Sequence, residues 1–299
     1  MAERLSFEDQ ITSNKLKSFI LIAVIFIFFL ILGYIISLVS DPASFIFIMI
    51  IAAFTSIIYI LISYFNSDKI ALASVGAKPA TRQQLPQLFN TVENMSLASG
   101  LPMPKIYVMN SNEINAFASG RNPQTAVICV TTGALEKLNK QELEGVIAHE
   151  MSHIANLDIR FMTLTAVLVG MISIVAQIFL RSMWYSGGKK DNKGSGIIVI
   201  IALIAAILAP IAAQLVQLAI SRKREYGADA TGVKFTRYPL GLANALKKIK
   251  NEHITPEDKE KYPKAVAPLF ISDPFKKKMQ TLFSTHPDID DRIRKLERM

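Results

Sequence analysis

The sequence predicts a mostly helical α+β protein carried on transmembrane helical hairpins, and three observations predict it. Long uncharged apolar runs fill residues 18–65, two more apolar stretches lie between residues 161 and 220, and short β-branched segments alternate with amphipathic helical patterns. Composition agrees, since 51% of the 299 residues are hydrophobic and 19% charged, more apolar than one soluble domain requires.

Ser18 to Val39 carries no charge and, at about 1.5 Å per residue, spans roughly 33 Å, enough for the hydrocarbon core of a bilayer. A second run, Ser44 to Phe65, follows after a turn supplied by Asp41 and Pro42, so residues 1–66 are expected to form an antiparallel transmembrane hairpin. The first run is too long for a signal peptide and has no small-residue cleavage site before Asp41. Residues 160–221 hold a second hydrophobic hairpin, about Phe161 to Leu180 and Gly196 to Ile220. Thr163, Thr165, Ser173 and Gln177 in one arm, and Pro210, Gln214 and Gln217 in the other, predict that it packs on protein over part of its length.

The net charge of +9 fits this arrangement. Arg4, Lys15 and Lys17 precede the first run and Lys69, Lys78 and Arg82 follow the second, whereas the turn between them has no basic residue. The positive-inside rule therefore puts both soluble parts in the cytosol; the expected location is a plasma (inner) membrane, crossed several times. One signal opposes it: the loop of the second hairpin carries Arg181, Lys189, Lys190 and Lys193 against Asp191.

The first soluble part, residues 67–159, opens with a helical pattern over 81–99 (Leu85, Leu88, Phe89, Val92, Met95) that stops at Gly100. Lys105 to Met109 and Ala126 to Val130 are short, β-branched and bounded by turn-formers, which predicts a small sheet. Asn139 with Glu142 three residues on makes a capping box that opens a helix carrying Leu143, Val146, Ile147 and Ile154. The second part, 222–299, is polar and mostly helical. A single cysteine, Cys129, excludes a disulfide scaffold and a multi-thiolate metal site. With no phosphate-cradling glycine loop and no aromatic–basic interleaving, no nucleic acid is expected as a partner.

The capped helix bears His149-Glu150-Met151-Ser152-His153, an HExxH pattern. Two imidazoles at i and i+4 share one helix face and can reach one zinc ion, while Glu150 lies beside the metal, placed to take a proton from its water and pass it to a leaving amine. A catalytic zinc wants a third protein ligand and an open position. Ile159 occupies the place of the third histidine in HExxHxxGxxH proteases, so Asp158, Glu225, Asp229, His253 and His286 remain. Glu225 ranks first, because Glu225 and Asp229 stand at i and i+4 just after the last apolar stretch, where one can bind metal and the other fix an imidazole tautomer. Pairing of Glu225 with Arg222, Lys223 or Arg224 is the alternative use of that residue.

HEMSHIANLD (149–158), SRKREYGADA (221–230), NAFA (115–118) and THP (285–287) together resemble the HtpX membrane zinc proteases, relatives of the CAAX-prenyl endopeptidases. The likeness covers nearly the whole chain, both hairpins included. It implies a zincin-like metalloprotease domain with one Zn2+ per chain, bound by His149, His153 and Glu225, with Asp229 behind His149. It also implies that Asn115, Ala116, Phe117 and Ala118 form a substrate-facing edge where an extended peptide adds a strand. His286 resembles a histidine that steadies the oxyanion, against the alternative of a helix cap, and Tyr226 is a further donor left open.

The expected function is thus a membrane-anchored zinc endopeptidase acting on polypeptides, with membrane proteins in quality control and stress response as the substrates the resemblance implies. Its rivals are a prenyl-protein processing endopeptidase, a non-catalytic membrane adaptor or chaperone and, with least support, a transporter.

Overall fold

A computed structural model describes residues 7–38, 41–167, 170, 222–252, 266, 269–272 and 287–299. Helix α1 (Phe7–Ser37) and helix α2 (Phe45–Phe65) form the expected hairpin, with Asp41 capping the short turn through its carboxylate on Ala43 N. Spans of 27 and 24 residues at mean hydropathies of 3.2 and 2.8 make both long and apolar enough to cross a membrane. Phe47 and Phe54 are 67% and 64% exposed, amid many other bare apolar side chains on these helices, a surface that water would not tolerate and lipid would. At 31 residues α1 is about 46 Å long, longer than a hydrocarbon core of about 30 Å, so it either tilts within the lipid or extends beyond it.

Helix α3 (Ser67–Ser74) leads into a four-stranded sheet of order β1-β2-β4-β3, with strands Lys78–Pro79, Lys105–Met109, Ala116–Ser119 and Val127–Thr131 for β1 to β4. β2 and β4 run parallel, with Ile106 opposite Ile128; β1 and β3 are antiparallel edges. Every residue of β4 is buried, and the pleat sorts them by face. Ile128 and Val130 join one core with Leu88, Val92, Val146 and Ile147, while Val127 and Cys129 join another with Leu72, Met162 and Phe270. A strand covered on both faces has no polar alternation to show, which is why it reads in sequence as a plain apolar run.

Helix α4 (Pro86–Ser99) ends as expected at Gly100, which takes φ 70. It starts five residues later than the apolar periodicity suggests, because Pro86 sits in the first turn, where the missing N–H costs nothing. After helix α5 (Thr132–Lys137) comes helix α6 (Lys140–Ala155), opened by the capping box: Asn139 Oδ1 accepts from Glu142 N at 2.9 Å and Glu142 Oε2 from Asn139 N at 2.8 Å. Helices α7 (Arg222–Thr236), α8 (Pro239–Asn251) and α9 (Ile289–Leu296) complete the described fold, and α7 and α8 both pack on α6.

The chain is helical again over 158–167, with no break at the expected start of the second hairpin. Phe161 and Leu164 pack against Leu21 and Ile25 of α1, while Met162 and Ala166 face the sheet side. The segment 158–167 is therefore wedged between the first hairpin and the sheet. Most of the expected second hairpin, with Gln177, Pro210 and Gln214, lies outside the described residues.

Candidate metal centre and active site

Helix α6 is buried nearly all round from Glu142 to Ile154, so its polar residues must find partners within the protein. His149 Nδ1 lies 2.9 Å from Asp229 Oδ1, and His153 Nδ1 lies 2.9 Å from Asp158 Oδ2. A carboxylate can only accept, so each ring carries an N–H on Nδ1, and in the neutral ring the lone pair is left on Nε2. The two Nε2 atoms face each other at 3.2 Å, and the Glu225 carboxylate stands 3.6 Å from one and 3.8 Å from the other. These three ligand atoms all lie within 4.8 Å of one another. In neutral rings these lone pairs repel, so either a proton or a metal ion must sit among them.

Charge makes the same demand. The buried carboxylates of Asp158, Glu225 and Asp229 outnumber the buried guanidiniums of Arg224 and Arg292, so negative charge is left over beside the imidazoles for a cation to neutralise. The donor set, two imidazoles and a carboxylate, is that of a catalytic zinc site with a coordination position to spare. Among the described residues, His149, His153 and Glu225 thus fit the metal that the HExxH pattern implies.

Glu150 is fully buried beside the cluster, and neither of its oxygens has a well-formed hydrogen bond to a described residue. Burial pushes its carboxyl up to about 7, although the charges of His149 and His153 and the nearby Ala118 N–H favour the ionised form. A carboxyl poised near neutrality is what a general base and acid needs. Without metal, burial would lower the His149 pKa, but the carboxylates of Asp229 and Glu225 outweigh it and raise the ring to about 9. Glu225 is held well below the usual carboxylate range despite its burial, by His149 and Arg292.

A sequence profile of peptidase family M48 matches residues 82–299. The chain belongs to peptidase family M48. A "Protease HtpX homolog" of Dictyoglomus thermophilum is 44% identical over 98% of this chain and 95% of its own length. Another, from Caldanaerobacter subterraneus subsp. tengcongensis, is 49% identical over 83% of this chain and 84% of its own. The crystal structure of S. mikatae Ste24p aligns with 89% of this chain and 62% of that one at 19% identity and a TM-score of 0.45. With α1 and α2 ahead of the matched region, this M48 peptidase is membrane-anchored.

The remaining expected residues of the M48 domain fall in four places. Asn115 to Ala118 lie on or beside β3, at the sheet edge and against α6, all buried. The outer side of that edge is partly taken by the chain itself: Phe270 bridges Phe117, Ile271 N donates to Ala116 O at 3.1 Å, and Asn115 Nδ2 donates to Ser272 O at 3.0 Å. Asp158 supports His153 and does not join the three converging ligand atoms. The Tyr226 hydroxyl donates to Asp291 Oδ2, not toward the cluster. His286 and His253 lie outside the described residues, and the cap of α9 is Asp288.

One site residue escapes the motif reading. Arg292 of α9 donates to both oxygens of Asp229, at 2.9 and 2.7 Å, and its Nη1 lies 3.3 Å from Glu225 Oε2. The signal was present in the pattern: position 292 falls on the buried stripe with Ile293 and Leu296, where a charge demands a partner.

Proposed function

We propose that this chain is a zinc-dependent endopeptidase that cuts polypeptides at the membrane surface. The observation that carries the reading is the convergence of three lone-pair donors, each imidazole pinned from behind by a carboxylate, beside the buried carboxyl of Glu150. His149, His153 and Glu225 hold one Zn2+, while Asp229 and Asp158 fix the two imidazole tautomers. When bound, the metal supplies Lewis-acid polarisation of a carbonyl and acidifies water.

Glu150 takes the proton of the attacking water and delivers it to the departing amine, a task matched by its pKa near 7. Asn115 to Ala118 receive the substrate as an added strand along β3, with main-chain hydrogen bonds in place of sequence-specific contacts. Because Ile271 already bonds Ala116 O, part of that edge must be vacated or shared when a peptide enters. His286 steadies the oxyanion. The catalytic unit comprises residues 67–159 and 222–299 on the cytosolic side of the plasma membrane, with the 1–66 and 160–221 hairpins as multi-pass anchor. Its substrates are damaged or misassembled membrane proteins.

The test compares purified wild type, Glu150→Gln and Glu225→Gln for zinc content and for cleavage of casein. The reading expects about one zinc per wild-type chain, zinc without cleavage in Glu150→Gln, and weakened zinc in Glu225→Gln. Undiminished cleavage by Glu150→Gln would overturn it and favour a non-catalytic membrane adaptor.

A further inference from the structure

The buried stripe of α1 runs Asn14, Ser18, Leu21, Ile25, spacings of four, three and four residues that keep one helix face against the protein. Leu21 and Ile25 meet Phe161 and Leu164, an ordinary apolar seam. Asn14 is different: a primary amide 5% exposed, at the end of the helix that protrudes toward the catalytic core. Its Nδ2 donates to Asn156 O at 3.1 Å and to Asp158 Oδ1 at 2.6 Å, using both amide protons. The other oxygen of Asp158 holds His153 Nδ1 at 2.9 Å. Two hydrogen bonds therefore connect a membrane helix to an imidazole of the metal centre.

The turn that Asn14 bridges is itself unusual. Between Asn156 and Asp158 stands Leu157 at φ 57, a left-handed conformation that a γ-branched residue does not adopt without strain. This reversal brings Asp158 back toward His153, only five residues earlier in the chain. Asn14 grips both flanks of Leu157, the carbonyl before it and the carboxylate after it. Arg224 Nε also reaches Asp158 Oδ1, at 3.0 Å, from α7.

We infer that Asn14 is a positioning residue of the metal centre: α1 clamps the strained Leu157 turn and so aims Asp158 at His153. The membrane anchor is thereby part of the apparatus that holds the metal ligands in place. The inference rests on His149, His153 and Glu225 being those ligands. Removing a carboxylate that orients a ligand imidazole typically weakens metal binding about 10–100-fold, and loosening that carboxylate belongs at the lower end of the range.

The experiment uses the full chain in detergent and reads zinc Kd by competition with a chromophoric chelator, with unfolding of the metal-free form followed alongside. Asn14→Ala is expected to weaken zinc about tenfold. Asn14→Asp, nearly isosteric, sets an oxygen against Asp158 and is expected to weaken zinc at least as much while keeping the packing. In an Asp158→Asn background Asn14→Ala should cost nothing further, because its route to His153 is already cut. A purely structural role would instead lower the unfolding midpoint with zinc Kd unchanged, or give losses that add in full across the two sites. Either result overturns the inference, as does wild-type zinc affinity in Asn14→Asp. Wild-type protein that takes up no zinc at all would instead remove the ligand assignment beneath it.

Discussion

Asp229 stands between His149 and Arg292: its Oδ1 lies 2.9 Å from His149 Nδ1 and 2.7 Å from Arg292 Nη2, and its Oδ2 accepts from Arg292 Nε at 2.9 Å. One carboxylate thus fixes an imidazole and neutralises a buried guanidinium, and the same guanidinium reaches Glu225 at 3.3 Å. The arrangement links the last helix of the chain to two of the three converging ligands. Arg292 Nη1 also donates to Ile271 O at 3.3 Å, which ties the segment on the β3 edge to the same residue.

Arg292→Met follows from that relationship. It leaves Asp229 and Glu225 buried with less compensation, and breaking a buried pair in this way costs about 3–5 kcal/mol. The metal-free form should unfold correspondingly earlier, and bound zinc should recover part of the loss because a divalent ion replaces the missing positive charge. Arg292→Lys keeps the charge but loses the fork, so it should fall between the two. Denaturant unfolding with and without zinc checks the order; a metal-free Arg292→Met as stable as wild type would contradict it.

Metal uptake should release protons. In the metal-free site His149 titrates at about 9, so at pH 7.5 its ring is mostly protonated, whereas a ligand imidazole must offer a lone pair on Nε2. Zinc binding at that pH is therefore expected to release about one proton per chain from His149. Calorimetry in buffers of different ionisation heat measures the number. Binding with no proton released would contradict the geometry around Asp229 and Glu225.

The same shift fixes a sign for stability without metal. A raised histidine pKa stabilises the folded state fully below the unfolded value near 6.5, and that contribution is lost as pH rises through about 9. Glu150, raised from 4.5 to about 7, acts in the same direction: its protonated form suits the fold, and stability declines between those values. Metal-free protein should accordingly lose stability from about pH 6.5 to 9, while the zinc-loaded form, whose ligands must be deprotonated, should not. Thermal melts across that interval distinguish the two; parallel curves would refute the assignment.

Local chemistry made much of this readable before any coordinates. The capping box at Asn139 and Glu142 marks where α6 begins, and the i, i+4 spacing puts His149 and His153 on one face without reference to the rest of the fold. What was hidden depends on tertiary contact. AFAS contains no β-branched residue, and β3 is a strand because β4 pairs with it and Phe270 covers it, not because of local preference. Asp158 was a candidate ligand on chemistry alone, since sequence could not show that Leu157 turns the chain back to set that carboxylate behind His153. Asn14 and Arg292 share a signature that was visible yet unspecific: a polar residue on an otherwise buried stripe, whose partner comes from more than sixty residues away.

Asn115 offers a check on the β3 edge. Its Nδ2 donates to Ser272 O at 3.0 Å, holding the segment whose Ile271 N–H bonds Ala116 O. Asn115→Asp turns that donor into an acceptor facing a carbonyl, a loss of about 1–3 kcal/mol for a buried group. Hydrogen exchange at the Ile271 amide should accelerate about tenfold or more, each factor of ten answering to about 1.4 kcal/mol of local opening. Unchanged exchange at Ile271 would mean that Phe270 packing and the Arg292 bond to Ile271 O hold the segment without Asn115.

Gly145 tests how tightly the metal-bearing helix is seated. A Cβ at this position would lie 2.4 Å from Leu242 N and 2.8 Å from Gly241 C, both backbone atoms at the start of α8. Backbone cannot swing aside as a side chain does, so Gly145→Ala must push α8 away from α6. Gly241 reinforces the constraint, because its own Cβ would stand 2.5 Å from Gln141 O, leaving α8 no room to rotate in compensation. Overpacking of this kind costs about 1–3 kcal/mol, more than the gain in helix propensity of about 1 kcal/mol that alanine brings. Because Gly145 lies one turn before His149 on the same helix, the displacement should reach the site as well, lowering zinc affinity together with the unfolding midpoint. A Gly145→Ala protein more stable than wild type would show that the α6–α8 contact is looser than these distances require.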